Sequence, residues 1–341
     1  AGLLGGGRAG RRPSPPSFLE QAGIGRFSMC FNDGADGVMR IGVPPLQQAM
    51  GSVGREHWSL GFYGISVGDS KAPLAICSPE DASAGQETPC GAIPDSGTTM
   101  ITGPKRHVAL LLEELCDAWP RCKQNHTALQ QAAKAASNVA EAVYGIDPWD
   151  IQGASKAKVL EFLLLDCERW LDEGEGLEEL PPLHFAVAGR EGRNQTLTLP
   201  GSAYVVQDFV EDTDSLLEQL VEPGNATARA NATSARQNAT SPGQKVCLPA
   251  FSVLDYSTEA HGPVWILGTS FFYQFNVAFD QSTSPPSVSF APAAEHPCGS
   301  CDKEAGLVAT GSAPAAPAAQ RRPRWGGGRP RRPSIDTSRP L

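Results

Sequence analysis

Short runs of β-branched and aromatic residues, broken by Gly and Asp turns, recur through most of this chain: "GRFSMCF" at 25–31, "GVMRIG" at 37–42, "HWSLGFYGISVG" at 57–68 and "LAIC" at 74–77. Such runs predict short strands. The pattern changes at 105–118, "KRHVALLLEELCDA", where Val108, Leu111, Leu112 and Leu115 share one helical face. Pro104 and Pro120 bound this predicted helix on either side. A second, weaker helical period follows in "HTALQQAAKAASNVAEAVYG", on Leu129, Ala132, Ala136, Val139 and Val143, with Gly145 as its stop. "VLEFLLLDC" at 159–167 is apolar without a deciding period and reads as helix or strand. Strand patterns then return in "LHFAVAG", "TLTL", "AYVVQ", "KVCLPAFSV", "VWILG", "FFYQFNVAFD" and "SVSFAP".

These patterns predict an all-β domain with short helices over 17–297, carrying insertions near 119–158 and 209–244. Residues 1–16 and 298–341, rich in Arg, Pro, Gly and Ala, are expected to be disordered tails. No apolar stretch is long enough to span a membrane.

Charge and cysteine usage narrow the setting. The net charge is −9, yet residues 1–16 hold three Arg and no acid, and residues 302–341 hold seven Arg and one Lys against three acids. The body between them is therefore strongly acidic, which argues against nucleic acid as a partner. Nine Cys accompany five N-x-S/T sequons at Asn125, Asn194, Asn225, Asn231 and Asn238. That combination fits an oxidising lumen, either secreted or within the endomembrane, lysosomal or vacuolar system. Three of the sequons fall within 225–240, so that stretch reads as an exposed, glycosylated loop.

One segment carries candidate chemistry. In "CGAIPDSGTTMITGP" (90–104) an apolar run delivers Asp95 into a turn of small hydroxyl residues and glycine. Gly97 permits close backbone approach, while Ser96 and Thr98 offer hydroxyls to a carboxylate or to neighbouring backbone. Taken alone, five such residues also suit an ordinary Asx turn closing a strand. The six His lack metal-ligand spacing, and there is no phosphate-binding loop or dinucleotide fingerprint.

The wider context gives the segment its meaning. "CGAIPDSGTTMITGP" resembles the second active-site segment of pepsin-like aspartic proteases, and other segments follow in the family's order. "LPPLHFAVAGREGRNQTLTLPGSAYVVQ" is similar to its Leu-Pro, strand, turn and Pro–Tyr region, and "VWILGTSFFYQFNVAFDQ" to its hydrophobic-hydrophobic-Gly strand with the aromatic-rich strands after it. Upstream, "FSMCFNDGADGVMRIG" and "HWSLGFYGISVGD" resemble the entry into the C-terminal lobe. The resemblance covers roughly residues 18–293. It implies the six-stranded-type β lobe of a two-lobed aspartic endopeptidase, acting on polypeptides through water held between two Asp. No cofactor and no metal are implied.

By position, Asp95 is the second carboxylate. Ser96, Gly97, Thr98 and Thr99 support its loop, with Thr98 bonding the carboxylate, and Ile93 helps to line a substrate pocket. Pro94 and Thr269 depart from the family's usual residues. The chain has no second Asp-Thr/Ser-Gly, so the N-terminal lobe with the first Asp is expected to lie outside it, and this fragment alone is expected to be inactive. The cysteines fit the same frame: Cys167–Cys247 stand where the family has its long disulfide, Cys77–Cys90 close a loop ahead of the Asp segment, and Cys116–Cys122 and Cys298–Cys301 read as local bridges, leaving Cys30 unpaired. Two other readings stay open: a homodimer contributing one Asp per subunit, and a non-catalytic pepsin-like binding glycoprotein.

Overall fold

A computed structural model of the chain describes residues 18–54, 56–70, 72–131, 155–210 and 244–300. Among them, strands numbered β1 to β15 in chain order form two main sheets and a ribbon. The first sheet is antiparallel, in the order β2 (Val38–Ile41), β1 (Arg26–Cys30), β14 (Phe275–Asp280), β15 (Ser287–Pro292) and β3 (Met50–Gly51). The second runs β11 (Phe251–Val253), β6 (Ile101–Gly103), β13 (Gly262–Leu267), β5 (Cys90–Pro94), β4 (Leu60–Val67), β7 (Leu183–Ala188) and β8 (Asn194–Leu199). The short β12 (Ser257–Thr258) pairs with β13. β9 (Val205–Val210) and β10 (Gln244–Pro249) form the ribbon at the base of the second predicted insertion.

Period-two alternation marks β14 at the centre of the first sheet. In β14, Phe275, Val277 and Phe279 are buried while Asn276 and Ala278 between them are less so. Phe27 of β1 lies opposite Phe279 in register, and the two rings stack at 4.9 Å. A chain of aromatic contacts links the sheets: Phe290 meets Phe275, Phe275 meets Phe271, Phe271 meets Phe185 and Phe185 meets Phe62. Phe62 also packs on Trp265 of β13. One continuous core therefore supports both sheets, and its close packing fixes their strands against each other.

The helix over Lys105–Ala118 forms as its pattern predicts and buries Val108, Leu111, Leu112, Leu115 and Cys116. Pro104 stands at its N-cap. A second helical segment starts directly at Pro120, because a residue without N–H costs nothing in a helix's first turn. Residues 120–131 are helical; the remainder of the second predicted helix, including Ala132, Ala136, Val139, Val143 and Gly145, lies outside the described residues. The undecided apolar run is a helix, Lys156–Leu165, capped by the Ser155 hydroxyl. It packs on Lys105–Ala118.

Two strand expectations fail. "LAIC" is a bend, not a strand: Leu74 donates to the Ile65 carbonyl, and Cys77 takes φ 56° to reach Cys90. The first half of "FFYQFNVAFD" lies in a helical turn, Thr269–Gln274, which places Phe271 and Phe272 in the core. The strand begins only at Phe275.

The disulfides include a correction. Cys77–Cys90, Cys116–Cys122 and Cys167–Cys247 are joined, as expected. Cys30 is not left over, and Cys298 does not pair with Cys301: Cys30 is bridged to Cys298, their Cα atoms 5.5 Å apart. The reason is tertiary. After β15 the chain returns alongside β1 and β2, where Arg40 donates to the Cys298 carbonyl and Asn32 Nδ2 to that of Gly299. A C-x-x-C spacing suggested a local bridge, but this return sets Cys298 beside the end of β1.

Candidate active site

Asp95 follows β5 directly, and the strand after its loop is β6. These two strands do not pair with each other. β13 runs between them, parallel to β5 and antiparallel to β6 at Ile266↔Thr102. The loop 95–100 must therefore pass over the end of β13, and β13 supplies its floor. The Asp95 amide donates to the Leu267 carbonyl at 3.0 Å. Beneath the loop sits Gly268, where a Cβ would lie 2.3 Å from the Met100 carbonyl oxygen and 2.7 Å from that of Thr98. Gly268 is required for close approach, its φ of −72° being open to any residue. Gly268→Ala is expected to destabilise the protein by about 3 kcal/mol through overpacking and to displace the loop. Urea unfolding midpoints measure the loss, and a variant as stable as the parent would contradict this account.

The carboxylate itself is buried, at 3% exposure. Its Oδ1 accepts from the Gly97 amide at 3.0 Å and its Oδ2 from the Thr98 hydroxyl at 2.6 Å. The Thr98 amide in turn donates to the Asp95 carbonyl at 3.3 Å. Both carboxyl oxygens thus accept hydrogen bonds from within the turn, which fixes the plane of the group. Thr98 is buried, whereas Ser96, Gly97 and Thr99 are half-buried.

Pro94 fits because of strand polarity. In a parallel pair alternate residues point their amides at the neighbour, and Asp95 uses its amide toward β13. The Pro94 nitrogen therefore faces β4. Pairing of β4 with β5 runs only from Phe62↔Cys90 to Leu60↔Ala92, so it has ended before Pro94. The missing N–H interrupts no ladder.

Other singled-out residues lie elsewhere. Ile93 is buried in a small apolar cluster with Tyr256, Val264 and Ile266. Asn125 is exposed on the helix that starts at Pro120, its Nδ2 donating to the Arg121 carbonyl, and Asn194 is exposed at the start of β8. Asn225, Asn231 and Asn238 fall outside the described residues.

One soft donor cluster exists among the described residues: Cys77, Cys90 and His107. Its two sulfurs are bonded to each other and offer no thiolate to a metal. His107, with Nδ1 3.9 Å from the Cys77 sulfur, is held below the ordinary imidazole range by burial, with Arg106 adding in the same direction. A cleft of about 540 Å³ near Asp69, Glu114, Asp117 and Glu178 includes no residue of the Asp95 loop.

The site is thus a buried carboxylate on a loop between strands, braced by a hydroxyl and a backbone amide and seated on a third strand. The model of the eukaryotic aspartyl protease family matches residues 48–293, and the chain belongs to that family. No individual curated protein matches the chain. The match begins after β1 and β2, yet β1 pairs with β14 well inside the matched region, so the preceding strands complete the same sheet.

Proposed function

We propose that this chain carries one half of an aspartic endopeptidase site, with Asp95 as one of two carboxylates that activate water for peptide-bond hydrolysis. The observation that carries this reading is the bracing of Asp95 through both oxygens in a Ser-Gly-Thr turn. A structural Asx turn has no need of a carboxylate held in one plane; a proton-transfer group does. Two close carboxylates share a proton and titrate as a pair, so that one draws a proton from water while the other protonates the scissile carbonyl. Water is then the nucleophile, and the mechanism uses no cofactor.

The sequence holds a single Asp-Thr/Ser-Gly. We assign the second carboxylate to a matching N-terminal lobe outside residues 1–341. Ser96 is the hydroxyl placed to brace the two loops, and Ile93 shapes the pocket wall from beneath. Polypeptides are the substrates. Four disulfides and the sequons support an oxidising, secretory or lysosomal setting.

The test is enzymatic. Residues 1–341 alone are expected to cleave no denatured protein substrate between pH 2 and pH 7, and to gain activity when the lobe bearing the first Asp is supplied. Activity of the isolated chain rising with the square of its concentration would instead assign the second carboxylate to another copy. Activity of first order in the chain would defeat the two-lobe assignment.

A further inference from the structure

The loop that holds Asp95 is fastened at both ends by one short segment, 267–269. At the near end the Asp95 amide donates to Leu267. At the far end Thr269 makes two bonds: its amide donates to the Thr98 carbonyl at 2.8 Å, and its Oγ1 donates to the Thr99 carbonyl at 3.0 Å. Thr269 opens the helical turn Thr269–Gln274, so its amide has no acceptor within that turn. The Thr98 carbonyl satisfies it. The Thr98 side chain, between these bonds, holds Asp95 Oδ2.

We propose that Thr269 is a positioning residue for Asp95: its hydroxyl and amide together clamp Thr98 and Thr99, and so fix the hydroxyl that orients the carboxylate. It touches neither the carboxylate nor a substrate and acts through Thr98. A threonine hydroxyl donates at every pH from 2 to 8, so the clamp holds whatever the protonation of Asp95, the only titratable side chain in residues 95–99. The catalytic meaning of the clamp rests on the function proposed above; the clamp itself can be tested without turnover.

Hydrogen exchange on the whole chain, followed by mass spectrometry and corrected for intrinsic rates from pH 3 to pH 7, reads the clamp directly. Thr269→Val is expected to speed exchange across residues 97–101 about tenfold, the size of one lost hydrogen bond, with the centre of β13 around Trp265 unchanged. Thr269→Ser restores the hydroxyl and is expected to restore protection. Thr269→Asp supplies a donor only while its carboxyl is protonated. Its protection at 97–101 should therefore persist at pH 3 and disappear by pH 7, a step the parent protein lacks. Equal exchange in the parent and Thr269→Val overturns the proposal. So does a loss that spreads to Trp265 and is not rescued by serine, or an Asp variant without the step. If the clamp behaves as expected but Asp95→Asn leaves hydrolysis intact, the clamp stands and the protease reading falls.

Discussion

Asp95→Asn is expected, on the function proposed above, to abolish peptide-bond hydrolysis in the presence of a lobe bearing the other carboxylate, while leaving the fold nearly intact. The amide matches the carboxyl in shape, and its oxygen can still accept from either Gly97 or Thr98. Its nitrogen can donate to the Thr98 hydroxyl, which then turns to accept, while the oxygen keeps the Gly97 amide, so the stability change should not exceed about 1 kcal/mol. The chemical loss is far larger. An amide neither shares a proton with a second carboxylate nor removes one from water, and acid and base roles fail together. Loss of a proton-transfer group alone lowers rates by roughly 10²–10⁴-fold; removing half of a coupled pair should reach at least the upper end. The measurement is kcat/KM on a denatured protein substrate at acidic pH, with circular dichroism as the folding control. Ser96→Ala, which removes a hydroxyl and no proton-transfer group, should lose much less. A folded Asp95→Asn protein with near-parental kcat/KM would leave family membership as ancestry and return the chemistry to another site.

Breaking Cys167–Cys247 should produce a large change in stability. The two cysteines are 80 residues apart, and both are fully buried. They tie the turn Cys167–Arg169, just after the helix Lys156–Leu165, to β10 of the ribbon. The loop they close contains residues 211–243 and four of the five sequons. Chain entropy puts such a closure at about 4–5 kcal/mol, against a total domain stability of about 5–15 kcal/mol. Replacing both cysteines with alanine should therefore lower the denaturant midpoint by a third or more. Cys116–Cys122, only six residues apart, closes a much smaller loop and should contribute only about 2 kcal/mol. If the double-alanine variants ranked the other way round, loop entropy would not be what these bridges contribute.

What could be read from the order of residues was local or carried by a motif. The helix Lys105–Ala118 was legible because four apolar residues recur at its period between two prolines. The strands β1, β4 and β14 were legible as runs of β-branched and aromatic residues between turns. Asp95, Thr98 and Gly97 could be singled out because a carboxylate among small hydroxyl residues is held by its nearest neighbours, two and three positions on.

Tertiary structure decided what depends on distant segments meeting. Nothing near Cys30 marks Cys298 as its partner; the return of the chain beside β1 does. "FFYQF" has strand composition, yet Thr269–Gln274 coils because Phe271 must reach Phe185 across the core. The acceptability of Pro94 rests on β4 having ended its pairing with β5 before it. The floor of the site is likewise non-local: Leu267, Gly268 and Thr269 lie some 170 positions beyond the loop they fasten. Local order suffices to present the carboxylate and the neighbours that hold it, because hydrogen bonds within a turn span only a few residues. Only the folded chain determined what that turn rests on, because β13 must first run between β5 and β6 for a backbone carbonyl and a threonine to lie within bonding distance of it.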